Sequence, residues 1–171
     1  MLAMPIVIRP AELGDDAALT KIDQETWDPR VTPGPLFSRP FFDDAKLEEV
    51  TVALHDDQVV GYIRLRPASA LPANAHVLLI AGLGVAPSAQ RRGVASRLLE
   101  AAEAHASQRN IERLTLRVLS VNTAALALYE RHGYRIEGEL RGEFRLPVGE
   151  GGAIVPVDDV LMAKTIVPRQ G

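Results

Sequence analysis

A segment rich in small residues and arginines stands where an apolar stretch gives way to a helical pattern. It reads Val85-Ala86-Pro87-Ser88-Ala89-Gln90-Arg91-Arg92-Gly93-Val94-Ala95. The first amides of a helix lack partners within the helix and carry the positive end of its dipole, so a pyrophosphate can bind there. Gly93 and Ala95 leave little side chain between the backbone and such a ligand. An ordinary strand-to-helix turn that holds one glycine is the alternative interpretation.

Two widespread phosphate-binding motifs do not match this segment. A P-loop requires Gly-Lys-Ser/Thr after its glycine-rich loop, and the chain has no such sequence. A dinucleotide-binding fingerprint could begin at Gly82-Leu83-Gly84, but Pro87 stands at its third glycine position. The segment therefore predicts an anion-binding turn of another kind.

A second candidate group lies on a helix predicted from Asn122 to Arg131, and Gly133 is predicted to end that helix as a left-handed C-cap. Asn122 is a favourable N-cap residue, and Tyr129 follows it by close to two helical turns. The two side chains therefore project on nearly the same side, about 10 Å apart along the axis. A phenol has a pKa of about 10, so Tyr129 is protonated at neutral pH and can donate to a departing thiolate. A tyrosine that only packs its ring is the alternative.

Predicted strands and helices around these segments follow a pattern typical of an α/β protein. Strands are predicted at residues 6–9, 51–55, 59–65, 77–85, 114–118, 134–144 and 157–167. Helices are predicted at residues 11–27, 41–50, 88–109 and 122–131. Prolines mark residues 28–40 as a loop, and glycines mark the connection between the last two strands. Residues 56–58 are predicted to form a tight turn that joins strands 51–55 and 59–65 in an antiparallel hairpin. We expect one mixed, mostly antiparallel sheet flanked by helices, in a single domain spanning residues 1–171.

Together and in this order, the two segments resemble the signatures of the GCN5-related N-acetyltransferase (GNAT) superfamily. Residues 90–95 are similar to its motif Q/R-x-x-G-x-G/A. Residues 122–134 are similar to its motif N-x-x-A-x-x-L-Y-E-x-x-G-F/Y. The resemblance extends from about residue 6 to residue 164. It implies the GNAT fold, in which the sheet splays apart between strands 77–85 and 114–118 to admit acetyl-CoA.

The resemblance also implies roles for particular residues. Tyr129 is implied to be the general acid that protonates the departing CoA thiolate, and Asn122 to contact the pantetheine arm. The backbone near the end of strand 77–85 is implied to align with that arm, and an amide near Val85 to stabilise the oxyanion. The turn amides are implied to bind the pyrophosphate. The residues implied to bind acetyl-CoA are Leu83, Gly84, Val85, Gln90, Arg91, Arg92, Gly93, Val94, Ala95 and Asn122.

The general base is not assigned by the resemblance. Several family members use a glutamate on the strand before the pyrophosphate turn, but residues 77–85 contain no carboxylate. An alkyl ammonium has a pKa above about 10, so a base or a water chain must remove its proton. His76 is the only titratable group near that strand. Other candidates, each more typical of a solvated surface, are Glu25, Asp43, Asp44, Glu139 and Glu143.

The composition of the 171 residues argues against several other classes of protein. Hydrophobic residues make up 47% and charged residues 24%, typical of a globular domain. The net charge of −3 gives no bulk attraction to nucleic acid or to an anionic membrane. The absence of cysteine excludes disulfides, thiolate metal sites and a cysteine nucleophile. No apolar stretch suits a secretory signal or a membrane span, so a cytoplasmic protein is expected.

The sequence therefore predicts an N-acetyltransferase that uses acetyl-CoA and no metal. Because there is no cysteine, we expect the acceptor, a primary amine of a small molecule or a protein, to attack directly in a ternary complex. Residues 28–40, with Trp27 and Phe37, and the last hairpin should shape the acceptor site. Two alternatives stay open: a regulatory or degenerate homologue that binds acyl-CoA without turnover, and an interaction module that shares only the fold. Many relatives are homodimers, which favours a homodimer joined through the late strands.

Overall fold

The computed structural model of the protein describes residues 5–27, 39–149 and 151–167. Most of the predicted loop at 28–40, including Phe37, lies outside the described residues. The strands are β1 (Val7–Pro10), β2 (Val50–His55), β3 (Gln58–Pro67), β4 (Val77–Val85), β5 (Arg113–Leu119), β6 (Arg135–Val148) and β7 (Ala153–Thr165). The helices are α1 (Asp16–Thr26), α2 (Val94–Gln108) and α3 (Thr123–Arg131).

Within the described residues, seven strands form one sheet in the order β1-β2-β3-β4-β5-β7-β6. The β4–β5 ladder is parallel, whereas β1–β2, β2–β3, β5–β7 and β6–β7 are antiparallel. The predicted mixed, mostly antiparallel sheet flanked by helices is thus confirmed. The β4–β5 ladder covers only Val77–Leu79 with Arg113–Thr115, and both strands continue beyond it.

The predicted hairpin of β2 and β3 is confirmed, with a two-residue turn at Asp56 and Asp57. Both residues have positive φ angles, of 51° and 59°. Paired left-handed residues form the turn whose twist matches that of the flanking strands, and aspartate tolerates this conformation better than most residues. Gln58, expected in the turn, begins β3 instead.

The helix predicted over residues 41–50 is wrong. The segment forms two short 3-10 turns, Phe41–Asp43 and Leu47–Glu49, and then enters β2. Side chains of α1 bind its backbone: the Phe41 amide donates to Thr20 Oγ1 at 3.0 Å, and the next amide donates to Asp16 Oδ1 at 3.0 Å. These tertiary hydrogen bonds satisfy the backbone without a continuous helix, and so override the local helical pattern.

Two other helices begin later than predicted. The helix expected from residue 11 starts as a 3-10 turn at Leu13–Asp15, where Arg9 pairs with Asp15, and becomes α1 at Asp16. The helix expected from residue 88 starts at Val94, after a 3-10 turn at Pro87–Ala89. Residues 90–93 between that turn and α2 are therefore non-helical.

The chain divides into two compact units. The first contains the described residues up to Arg66 together with Ile80–His105, and the second contains Pro67–Leu79 together with the residues from Ala106 onwards. Each unit has its own fully buried side chains, such as Leu19 and Leu98 in the first and Leu114 in the second. Each such side chain contributes about 1.5–3 kcal/mol to folding. The expectation of a single domain over residues 1–171 stays a prediction.

The described helices include none that is both long and apolar enough to cross a membrane.

Candidate active site

The predicted pyrophosphate turn joins β4 to α2 in the first unit. Gln90 has an extended backbone, whereas Arg91 and Gly93 have positive φ angles of 64° and 82°. Left-handed residues in such a turn direct successive amide N–H groups toward a shared concavity that suits an anion. The side-chain amide of Gln90 donates to the carbonyl of Val85 at 3.1 Å and so closes the turn across its base.

Helix α2 presents its positive end at the same place. The amide of Arg97 donates to the carbonyl of Gly93 at 3.1 Å, so the intrahelical hydrogen bonds begin there. The amides of Val94 and Ala95 come before the first residue that can donate within the helix. Gly93 is exposed, and a Cβ placed on it would meet no described atom within 4 Å beyond its chain neighbours. The turn can therefore admit a bulky anion close to its backbone.

A non-glycine residue in the left-handed region costs on the order of 1–3 kcal/mol, and such residues cluster at ligand clamps. Arg91 occupies that region, and both Arg91 and Arg92 have exposed side chains. Two guanidinium groups thus flank the turn in solvent.

The end of β4 carries Leu83, Gly84 and Val85, predicted to align with the pantetheine arm. Leu83 and Val85 are half-buried, and Gly84 is buried. A Cβ on Gly84 would lie 2.7 Å from the ring of Tyr62, and one on Gly82 would lie 3.2 Å from it. Glycines at alternate positions of one strand lie on one face, so these two make room for the Tyr62 ring.

The second unit contains both residues of the second candidate group, with Asn122 just before α3 and Tyr129 within it. Asn122 caps the helix: its side-chain oxygen accepts from the amide of Ala125 at 3.2 Å. Its exposed amide NH₂ group remains to donate. Gly133, with a φ of 84°, ends the helix as predicted. The capping interpretation of Asn122 is therefore confirmed, and its contact with a pantetheine arm stays a prediction.

Tyr129 is buried in the second unit, with 8% of its surface exposed. Its ring packs edge-on against Tyr134, with the ring centroids 5.6 Å apart. Burial raises the pKa of Tyr129 to about 12, because an ionised phenolate would be poorly solvated there. The hydroxyl is therefore protonated at neutral pH. Its use as a general acid stays a prediction.

A cavity of about 300 Å³ in the first unit was not predicted. Its lining includes the carboxylate of Asp23 on α1 and the aromatic rings of Trp27, Phe41 and Tyr62. The other lining residues are Thr20, Arg39, Pro40, Asp44, Ala45, Arg64, Ala81 and Gly82. A cavity of this volume can hold a small organic molecule.

Asp23 is hydrogen-bonded inside this cavity. Tyr62 Oη donates a short hydrogen bond to Asp23 Oδ1, and Trp27 Nε1 donates to Tyr62 Oη at 3.2 Å. Burial raises the pKa of Asp23, although the hydrogen bonds from Tyr62 and Trp27 oppose the rise. Burial also raises the pKa of Tyr62, as does the negative charge of Asp23. A sequence signal existed: Asp23 follows Leu19 by four residues, which places it on the core-facing stripe of α1.

The charges around Asp23 are already partly paired with one another. Arg64 donates to Asp44 at 2.7 Å and to Glu49 at 2.8 Å, and its hydrogen bond lowers the pKa of Asp44. Arg39 also lines the cavity, and its charge acts on Asp44. Within the three described ranges, no lysine or arginine forms an ion pair with Asp23. Asp23 is thus a half-buried carboxylate on which the charge of Arg64 acts, but which forms no described ion pair.

The base candidates named from the sequence lie elsewhere or are engaged. Asp44 lines the cavity but is bound to Arg64, and Glu25 is exposed near Lys21. The remaining candidates are exposed: His76, Asp43, Glu139 and Glu143. The described residues contain no group of three or more histidines and carboxylates that could hold a metal ion.

Comparison with known proteins relates this chain to acetyltransferases. The model of the acetyltransferase (GNAT) family matches residues 17–134. YhfO of Bacillus subtilis (strain 168), an uncharacterized N-acetyltransferase, is 28% identical over 131 residues, which cover 74% of this chain and 88% of that protein. The mycothiol acetyltransferase of Jonesia denitrificans is 34% identical over 149 residues, or 84% of this chain. That alignment covers 46% of the relative, so the chain spans less than half of its length.

Solved structures show the same fold at low sequence identity. The ribosomal-protein-S18-alanine N-acetyltransferase of Escherichia coli has a TM-score of 0.73 and 20% identity, and 97% of each chain is covered. YncA of Salmonella typhimurium, solved with acetyl-CoA, has a TM-score of 0.71 and 18% identity, over 98% of this chain and 97% of that one.

Proposed function

Because this chain belongs to the acetyltransferase (GNAT) family and is an acetyl-CoA-dependent N-acetyltransferase, we propose that it acetylates a primary amine by direct attack in a ternary complex. The observation that carries the proposal is the turn before α2, with its left-handed Gly93, its free helix start and its open space. The chain contains no cysteine, so an acyl-enzyme on sulfur is not available.

The pyrophosphate of acetyl-CoA would lie on the turn of residues 90–95. Amides at the start of α2 would donate to its oxygens, and the helix dipole would favour its negative charge. Arg91 and Arg92, both exposed, would offset part of the remaining charge. The backbone of Leu83–Val85 and the amide NH₂ of Asn122 would hold the pantetheine arm.

The transfer itself has a simple balance. The neutral amine attacks the thioester carbonyl, and the carbonyl oxygen becomes an oxyanion, for which an amide near Val85 is the proposed donor. The C–S bond then breaks, and the sulfur takes the proton of Tyr129. Support for this acid is its protonated state, since burial raises its pKa to about 12. The tyrosinate regains a proton from water, and the attacking nitrogen loses one to a base.

Calorimetric titration with acetyl-CoA, followed by CoA release with a panel of primary amines, tests the proposal. Binding and amine-dependent release are both expected. Binding without release for any amine would instead favour the regulatory homologue. Absence of binding would overturn the proposal.

We also propose a cytoplasmic homodimer joined through the late strands. Support comes from β6, the last strand in the sheet order, which exposes 48% of Ile136 and 39% of Leu140. An exposed edge strand with apolar side chains is a ready site for pairing with another chain. Light scattering should give twice the monomer mass, and a monomer at high protein concentration would contradict this expectation.

A further inference from the structure

The cavity beside α1 has the composition of a binding site for an organic cation. Trp27, Phe41 and Tyr62 supply aromatic surface, and Phe41 packs edge-on against Tyr62 with centroids 4.9 Å apart. Trp27 keeps 41% of its surface exposed, so solvent reaches this wall of the cavity. Aromatic faces attract both apolar groups and cations.

We propose that this cavity binds the amine acceptor, an ammonium on an apolar or aromatic body, and that Asp23 pairs with the ammonium and then takes its proton. The inference rests on the proposed N-acetyltransferase function and supplies the base that the sequence left open. Burying a carboxylate is costly unless a cation or hydrogen bonds compensate, and Asp23 has hydrogen bonds but forms no described ion pair.

Among the residues that the structure describes, the charges of Arg64 and Asp44 act on Asp23, but neither group forms an ion pair with it. Arg64 is shared between Asp44 and Glu49, and Arg39 acts on Asp44. The hydrogen bonds from Tyr62 and Trp27 fill at most two of the about four acceptor positions of the Asp23 carboxylate. An ammonium carries three donors and matches the unused positions.

The cavity also reaches the strand on which we place the thioester. Ala81 and Gly82 of β4 line it, and the proposed pantetheine-aligning residues Leu83–Val85 follow directly in the same strand. A primary amine held at Asp23 would therefore lie beside the acyl end of the arm. Asp23 would contact the substrate directly and act as a catalytic residue.

The proton transfer balances without a further reactant. The ammonium gives one proton to the ionised carboxylate, which leaves a neutral amine with the lone pair needed for attack. Asp23 later releases that proton to water. The raised pKa of Asp23 favours this transfer, because a carboxylate with a higher pKa is a stronger base.

The test compares Asp23→Asn with Asp57→Asn. Asn keeps the shape of the side chain and can still accept from Tyr62, and Asp57 is exposed in the β2–β3 turn, absent from the described lining. The binding probes are phenethylamine and its uncharged analogue 2-phenylethanol, titrated by calorimetry in the presence of CoA. Wild type and Asp57→Asn should prefer the amine by at least about tenfold, and Asp23→Asn should lose that preference. Equal affinities for the two probes in wild type would overturn the inference.

Turnover and its pH dependence are the second measurement, because a purely structural role of Asp23 would not change the pH dependence. With the best amine of the panel, Asp23→Asn should lower kcat at pH 7 by about 10²-fold. The loss should shrink as the pH approaches the pKa of the amine, because free amine then needs no base. Asp57→Asn should match wild type throughout. If wild type is active and Asp23→Asn is equally active, only this inference fails; if wild type neither binds acetyl-CoA nor releases CoA, the proposed function fails.

Discussion

The surroundings of Tyr62 and Tyr129 differ although both tyrosines are buried and both have raised pKa values. In the first unit, the Tyr62 hydroxyl lies between Trp27 and Asp23, so two polar partners fix its direction. In the second unit, Tyr129 packs its ring edge-on against Tyr134, and burial alone raises its pKa. The hydroxyl of Tyr62 thus belongs to a network of polar side chains, whereas burial keeps the hydroxyl of Tyr129 protonated.

The largest effect expected from this comparison is that of Tyr129→Phe. If Tyr129 protonates the leaving thiolate, removal of its hydroxyl should lower kcat by about 10²-fold. Acetyl-CoA affinity by calorimetry should change little, because backbone groups and Asn122 are proposed to hold the arm. A packing role predicts instead a modest loss of stability with near-normal turnover. A kcat within about threefold of wild type would remove Tyr129 as the acid and leave water as the proton donor.

The pH dependence of kcat also tests the assignment of Tyr129 as the general acid. A pKa of about 12 means that the acid form persists well above neutral pH. Deprotonation of Tyr129 should therefore not reduce kcat as the pH rises from 7 to 10.

Gly93→Glu should weaken acetyl-CoA binding by well over tenfold. The glutamate would place bulk and negative charge where the pyrophosphate is proposed to lie. This effect on the turn amides does not involve Tyr62 or Tyr129. Gly93→Ala is the matched control, because it carries the same strain at a φ of 82° without charge and with little bulk. Calorimetry that finds equal affinities for Gly93→Glu and wild type would contradict the assignment of the turn.

The predictability of these regions from sequence follows from how local their structure is. The bounds of β4 matched the apolar run at 77–85, and Asn122 and Gly133 marked the ends of α3, because caps and buried strands depend on neighbouring residues. The helix predicted at 41–50 failed because hydrogen bonds from α1 decide that segment. The start of α2 was predicted too early, because the residue type of Arg91 does not indicate its left-handed backbone.

The sequence did not predict the cavity around Tyr62, because residues distant in the chain form it. Its described lining comes from α1, from the segment 39–45, from β3 and from β4, so no spacing in the sequence joins these residues. Asp23 was not among the base candidates, and only its place on the apolar stripe of α1 pointed to it. A motif of six residues predicted the proposed pyrophosphate turn, whereas only the tertiary structure reveals the cavity.

The smallest effect expected is that of Tyr62→Phe, which removes the hydroxyl and keeps the ring. Asp23 and Trp27 would each lose a hydrogen-bond partner, and a hydrogen bond to a charged group contributes about 1.5–3 kcal/mol of stability. Thermal unfolding should therefore show a lower Tm than that of Tyr129→Phe, the matched change in a ring without this network. A Tm equal to that of Tyr129→Phe would contradict the difference between the two sites.

The same variant should lower kcat/KM for the amine by about fivefold, which corresponds to roughly 1 kcal/mol for one net hydrogen bond. Its pH profile gives the sign. The hydrogen bond from Tyr62 lowers the pKa of Asp23, so its removal raises that pKa further. Since binding and deprotonation of the ammonium require ionised Asp23, the fall of kcat/KM toward acid pH should begin at a higher pH in Tyr62→Phe than in wild type. An acidic limb that stays in place would show that Tyr62 supports the ring packing of the cavity and not the charge of Asp23.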